Sequence, residues 1–137
     1  MVATEVARAL GIRRVIVPRA AGVFSALGLL RRVAAGKKGL IAAICAGPAV
    51  VAAAGVCQGR RATSYPGYDA AALGAHFALA PAEDVVCDAR ADDVALVTSR
   101  GPATAGAFAL ALVEHMCGSN LRAKVASDML FCSSDCH

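Results

Sequence analysis

The nineteen residues from Gly39 to Cys57, GLIAAICAGPAVVAAAGVC, carry no charge, are broken in the middle by Cys45-Ala46-Gly47-Pro48, and are flanked by Lys37-Lys38 and Arg60-Arg61. Two foldings compete for such a run. About 20 uncharged residues can span a hydrocarbon core with basic pairs at its two faces. Against a continuous helix, Pro48 removes a backbone bond midway, Gly47 precedes it, and the abundant Ala and Gly contribute little to insertion. Splitting the run is simpler. Leu40-Ile41-Ala42-Ala43-Ile44 reads as a strand buried on both faces, and Pro48 to Ala54 reads as a helix with proline in its first turn, ending before Gly55. Cys45 then sits on the turn between them, and no membrane span is expected.

Length and composition agree with one α/β domain. A chain of 137 residues can bury roughly 70% of its unfolded surface, and 58% of this one is hydrophobic but only 4% aromatic, with no Trp. The apolar content is therefore Ala, Val and Leu. The net charge of +4 comes from scattered basic pairs without interleaved aromatics, unlike a nucleic-acid footprint, so no nucleic-acid partner is expected. Six cysteines accompany an opening, MVATEVARALG, too polar for the apolar region of a cleavable signal, which favours a reducing, cytoplasmic setting.

A side chain at the carboxyl end of a buried strand, leading straight into a helix, lies over unpaired helix N–H groups whose partial positive charge favours thiolate and can hold an oxyanion. This is the logic of a nucleophile elbow. The competing reading of Cys45 is a small buried hydrophobe in an Ala-rich run.

Several words of the chain carry a resemblance. RRVAAGKKGLIAAICAGPAVV (31–51), RATSYPGY (61–68), LVTSRGPATAGAFALALVEHMCG (96–118) and KVASDMLF (124–131) resemble, in order, the carboxyl-terminal half of the PfpI superfamily in its Parkinson-associated deglycase branch. The resemblance covers about residues 27–131. It implies a flavodoxin-like α/β sandwich of three layers, similar to class I glutamine amidotransferases and incomplete at its amino-terminal half. It places Cys45 at the catalytic, oxidation-sensing position and makes Ala46, Gly47, Tyr65, Arg100 and Pro102 the oxyanion and pocket residues. No cofactor or metal is implied. The implied activities are repair of glyoxal- and methylglyoxal-modified proteins, glyoxalase action, redox-dependent chaperoning and, in some branches, proteolysis. The implied partners are small reactive aldehydes or glycated side chains, and a second copy in a homodimer.

The chain departs from that pattern. The family's glutamate and Gly-Gly turn belong to an amino-terminal half with no counterpart here: Glu5 sits in no matching motif, and Arg19-Ala20-Ala21-Gly22 follows Val15-Ile16-Val17-Pro18. Tyr65 stands where a histidine can flank the thiol, and tyrosine shuttles protons less readily near neutrality. Residues 7–30 resemble a segment of the hydantoinase A/5-oxoprolinase family without its nucleotide-binding motif. They read as a helix (Val2 to Leu10), a strand (Arg14 to Val17) and a loop, with an Arg-rich targeting peptide over 1–32 as the rival.

The remaining expectations are local. Ala62-Thr63-Ser64 reads as a short strand, Asp69 to Leu73 as a helical turn, and Val85–Asp88 and Val94–Thr98 as a hairpin through Ala89–Asp93. Pro102 opens a helix closed by Gly118, whose Phe108, Leu112 and Met116 read as a core stripe. Arg100 reads as an anion holder or an ordinary ion pair. His76 and His115 read as helix-surface residues, and Glu83-Asp84 and Asp92-Asp93 as solvated turns. The Cys132–His137 tail offers too few fixed ligands for zinc. The organisation is thus a lead-in (1–30), a half-domain (31–131) and a tail (132–137). Without its first strands, the Leu40–Ile44 strand is expected near an open edge that invites association. Three functions remain: a cysteine enzyme on aldehyde carbon, an impaired redox or interaction module, and a non-functional fusion fragment.

Overall fold

The computed structural model describes residues 30, 34–36, 39–91 and 93–131. The expected helix and strand before residue 18, Asp92 and the cysteine-containing tail lie outside the described residues.

The uncharged run splits as its proline requires. Strand β1 (Leu40–Ile44) leads through Cys45 and Ala46 into helix α1 (Gly47–Ala53), with Pro48 in its first turn. Gly47 packs closely there: a Cβ would stand 3.3 Å from the Ala43 Cβ, a tight contact. Among the described residues no helix is long and apolar enough to cross a membrane.

The chain continues through β2 (Arg61–Ala62), α2 (Ala70–His76), β3 (Ala78–Leu79), β4 (Val85–Asp88), β5 (Ala95–Ser99), a 3-10 turn (Pro102–Thr104), α3 (Ala105–Cys117) and α4 (Ser119–Asp128). The main sheet has the order β1-β5-β4. Strand β1 runs parallel to β5, Leu40 opposite Ala95 and Ile44 opposite Ser99, and β4 completes the expected hairpin antiparallel to β5. Strands β2 and β3 form a small parallel pair. The helical turn expected at Asp69–Leu73 extends to His76.

All five residues of β5 are buried. Successive side chains of a strand point to opposite faces. Leu96 joins Ile41, Ala43, Val51, Leu73 and Phe77 in the core beneath α1 and α2. Strand β1 differs from expectation: Ile41 and Ala43 are buried, Ala42 is exposed and Leu40 and Ile44 are half-buried. Ile41 and Ala43 share the face that meets the core with Val51 and Leu73, and Leu40, Ala42 and Ile44 share the opposite face. The Phe108, Leu112, Met116 stripe also fails as core. Met116 is 63% exposed, Phe108 and Leu112 are half-buried, and Leu110 is the buried residue of α3.

Arg60, one of the basic pair read as a flank, is 1% exposed. Its Nη1 donates to Asp93 Oδ2 at 2.9 Å and to the Val94 carbonyl at 3.0 Å; its Nη2 meets Asp88 Oδ1 at 2.9 Å. A buried charge needs such partners. The arrangement binds the loop before β2 to both sides of the turn that joins β4 to β5. The Arg60 guanidinium, with the Arg61 N–H at 2.8 Å, holds the Asp88 carboxyl below its usual range against the opposing effect of burial.

Asp88→Asn is expected to lower stability by about 2 kcal/mol at neutral pH, the scale of a hydrogen bond to a charged group. Because the folded-state pKa of Asp88 is depressed, its contribution is present above the unfolded value of 3.8 and is lost as pH falls through the lower folded value. Urea titrations across pH should therefore show wild type and Asp88→Asn converging in acid. A gap that persists in acid would contradict the assignment.

Candidate functional site

The carboxyl ends of β1 and β5 define the place where chemistry can happen. Cys45 follows β1 directly and has φ 61°, in the left-handed region that non-glycine residues avoid at a cost of roughly 1–2 kcal/mol. Two backbone hydrogen bonds hold it there. Its N–H donates to the Ser99 carbonyl at 2.9 Å, and its carbonyl accepts from the Tyr65 N–H at 3.0 Å. The thiol is free and half-buried. Strain sustained by its surroundings at the strand-to-helix corner is characteristic of functional turns.

Ala46 and Gly47 sit at the start of α1, where N–H groups have no partner within the helix. Among the described residues neither N–H has another partner. Their dipoles point toward the corner that Cys45 occupies.

Tyr65, Arg100 and Pro102 come together in an adjoining cleft of about 390 Å³, which Cys45 does not line. Gly47 lines a different groove, with Ala42, Ile44 and Val50. The site residues expected from the sequence therefore form two neighbouring groups joined through the Cys45–Tyr65 backbone bond. Tyr65 is 51% exposed, its ring lying against Gly101, where a Cβ would come within 3.4 Å of it. Arg100 pairs with Asp84 Oδ1 at 3.0 Å within the cleft.

Sequence reasoning missed Asp84 and Thr104 as parts of the cleft. Thr104 Oγ1 accepts from the Gly101 N–H at 3.1 Å and donates to the Gly101 carbonyl at 2.9 Å, while Ser99 Oγ donates to the Asp84 carbonyl at 3.0 Å. A hydroxyl three residues after Gly101, at the start of a turn, was the available signal. The other groups are structural. His76 Nε2 lies 2.7 Å from the Val56 carbonyl, His115 is exposed, and Glu83 pairs with Arg61. Burial pushes the Cys57 and Cys87 thiols above their ordinary range, with Glu114 adding to the shift at Cys87. Among the described residues there is no group of three or more His, Cys, Asp or Glu side chains placed to hold a metal ion.

A model of the DJ-1/PfpI family matches residues 25–115. The chain is 39% identical over 97 residues to the Parkinson disease protein 7 homolog of Danio rerio, covering 69% of this chain and 48% of the relative. It is 39% identical over 111 residues to protein dj-1beta of Drosophila melanogaster, covering 81% and 56%. The crystal structure of Drosophila melanogaster DJ-1beta superposes with a TM-score of 0.68 at 38% identity, over 78% of this chain and 54% of that one. Toxoplasma gondii DJ-1, solved oxidized, gives 0.63 at 32% identity, over 80% and 55%. The chain thus spans about half the length of the curated relatives it matches. The family match begins at residue 25 and leaves the hydantoinase-like reading of residues 7–30 unsupported.

The strain at Cys45 can be measured. Cys45→Gly should be more stable than Cys45→Ala by about 1 kcal/mol, because only glycine adopts this φ without penalty. Equal urea midpoints for the two variants would show that the turn is relaxed.

Proposed function

The chain belongs to the DJ-1/PfpI family, and on that premise we propose that it is a thiol-reactive protein in which Cys45 senses oxidants. Its fold is the family's flavodoxin-like α/β arrangement, of which the chain holds part. The observation that carries the reading is the elbow: a half-exposed thiol on a left-handed corner between a strand and a helix N-terminus. A thiol attacks an oxidant as its thiolate. Cys45 attacks one oxygen of a hydroperoxide, an S–O bond forms as the O–O bond breaks, and the departing oxygen leaves as hydroxide or alkoxide and takes a proton. A second equivalent carries the sulfenic acid to sulfinic. That a relative, Toxoplasma gondii DJ-1, has been solved oxidized supports this chemistry. The half-domain over residues 31–131 is the unit assigned to it.

A second reading is favoured by the unpaired Ala46 and Gly47 N–H groups. In it, the Cys45 sulfur adds to the aldehyde carbon of glyoxal, methylglyoxal or their adducts on protein side chains. The carbonyl electron pair moves to oxygen, those N–H groups steady the charge, and protonation gives a hemithioacetal. Tyr65 and Arg100, in the adjoining cleft, would orient the rest of the molecule. Turnover needs a further acid or base to discharge the adduct, and among the described residues no side chain is hydrogen-bonded to the Cys45 sulfur.

Two measurements test these readings. On limited peroxide, sulfinic acid should form at Cys45 at least about tenfold faster than at Cys57 or Cys87, whose thiols are held protonated. Comparable rates by peptide mass mapping would overturn the sensor. With methylglyoxal, lactate production abolished by Cys45→Ser would establish the enzyme instead.

A further inference from the structure

The two pairings of β5 set three residues in a row just beyond its carboxyl end. Ile44 of β1 lies opposite Ser99 on one side, and Val85 of β4 lies opposite Ser99 on the other. One residue further, Arg100 has Cys45 on one side and Asp84 on the other. The backbone bonds agree: the Cys45 N–H donates to the Ser99 carbonyl at 2.9 Å, and the Arg100 N–H donates to the Asp84 carbonyl at 3.2 Å. With neighbouring strands about 5 Å apart, the arginine stands between the residue with the thiol and the residue with the carboxylate. The Asp84 backbone is fixed a second time, because its carbonyl also accepts from Oγ of the buried Ser99 at 3.0 Å. Its side chain then meets Arg100 Nη1 at 3.0 Å in the cleft that Tyr65 and Thr104 also line. The adjacent Glu83 is engaged with Arg61, so among the described residues Asp84 is the acidic partner of Arg100.

An arginine beside a thiol would by itself attract carboxylates, which its planar fork binds in a bidentate manner. Paired with Asp84 it presents no net charge, and an incoming carboxylate meets a carboxylate already in place. We propose that Asp84 determines specificity at the elbow: by neutralising Arg100 it leaves Cys45 to uncharged hydroperoxides and aldehydes and denies anionic ones, such as 2-oxo acids, an attractive site. Discrimination of this kind works through an unfavourable contact with the wrong ligand. The inference rests on Cys45 being the reactive thiol, and it gives Asp84 a role that acts through Arg100. Both side chains keep contact with solvent, so the effect is a few-fold preference rather than an absolute one.

Iodoacetate and iodoacetamide differ by one charge and alkylate a thiol by the same displacement of iodide. Their rate ratio at Cys45, followed by peptide mass mapping of the full chain, therefore reads local charge and cancels any change that affects both reagents alike. Asp84→Asn should raise the iodoacetate-to-iodoacetamide ratio about threefold, because asparagine still accepts from Arg100 but no longer cancels its charge. The rise should vanish in about 1 M salt and when Arg100→Gln is added, whereas Asp84→Glu should keep the wild-type ratio. Arg100→Gln alone leaves Asp84 unopposed and should push the ratio below wild type, a reading that holds even if Asp84→Asn does not fold. A reactive Cys45 with one ratio in wild type, Asp84→Asn and Arg100→Gln would overturn this proposal and leave the thiol reading standing. A rise in Asp84→Asn that survives the loss of Arg100 would overturn it too. A Cys45 alkylated no faster than Cys87 by either reagent would overturn both.

Discussion

The parallel pairing of β1 with β5 is the constraint on which the rest of the structure depends. It fixes Leu40–Ile44 against Ala95–Ser99 residue for residue, and its last hydrogen bond, from Cys45 to Ser99, is also the first contact of the elbow. The same register brings the chain after Ser99, with Arg100 and the Pro102 turn, beside the chain after Ile44. The cleft and the thiol are neighbours because two strands end together, which is where open α/β sheets place their ligands.

Around that pairing the molecule spends its polar groups on holding loops. Arg60 is buried among Asp88, Asp93 and the Val94 carbonyl, so a charged side chain in a loop is fixed to the hairpin. Thr98, in the middle of the buried β5, accepts from the Thr63 N–H at 2.9 Å and so ties β2 to the sheet. Desolvation makes each of these contacts costly to break from one side only. The left-handed Cys45 is sustained by that framework, since its N–H and its carbonyl are both engaged with elements that are themselves anchored.

Much of this was legible in the residues. The Leu40–Ile44 block, the break at Pro48, the hairpin between Val85 and Ser99 and the Pro102 turn leading to a helix closed at Gly118 all follow from local patterns. Those patterns are carried by residues near one another in the chain. The errors share one cause. Burial of β1 on both faces and of the Phe108–Met116 stripe was inferred from apolarity, but apolar residues are covered only where a neighbour exists to cover them. The burial of Arg60 had no local signal, because its partners lie about thirty residues away in sequence, beyond any local window.

The sequence by itself determined the strand, the turn and the helix around Cys45, because proline, glycine and an uncharged block act through the backbone over a few residues. It also carried the family words that identify the kinship. Only the tertiary structure decided that Tyr65 and Arg100 share a cleft from which Cys45 is set apart, that Arg60 is interior, and that β1 lies parallel to β5 residue for residue. Those outcomes depend on which distant segments meet, and meeting is governed by register and burial over the whole fold rather than by the preferences of any one stretch.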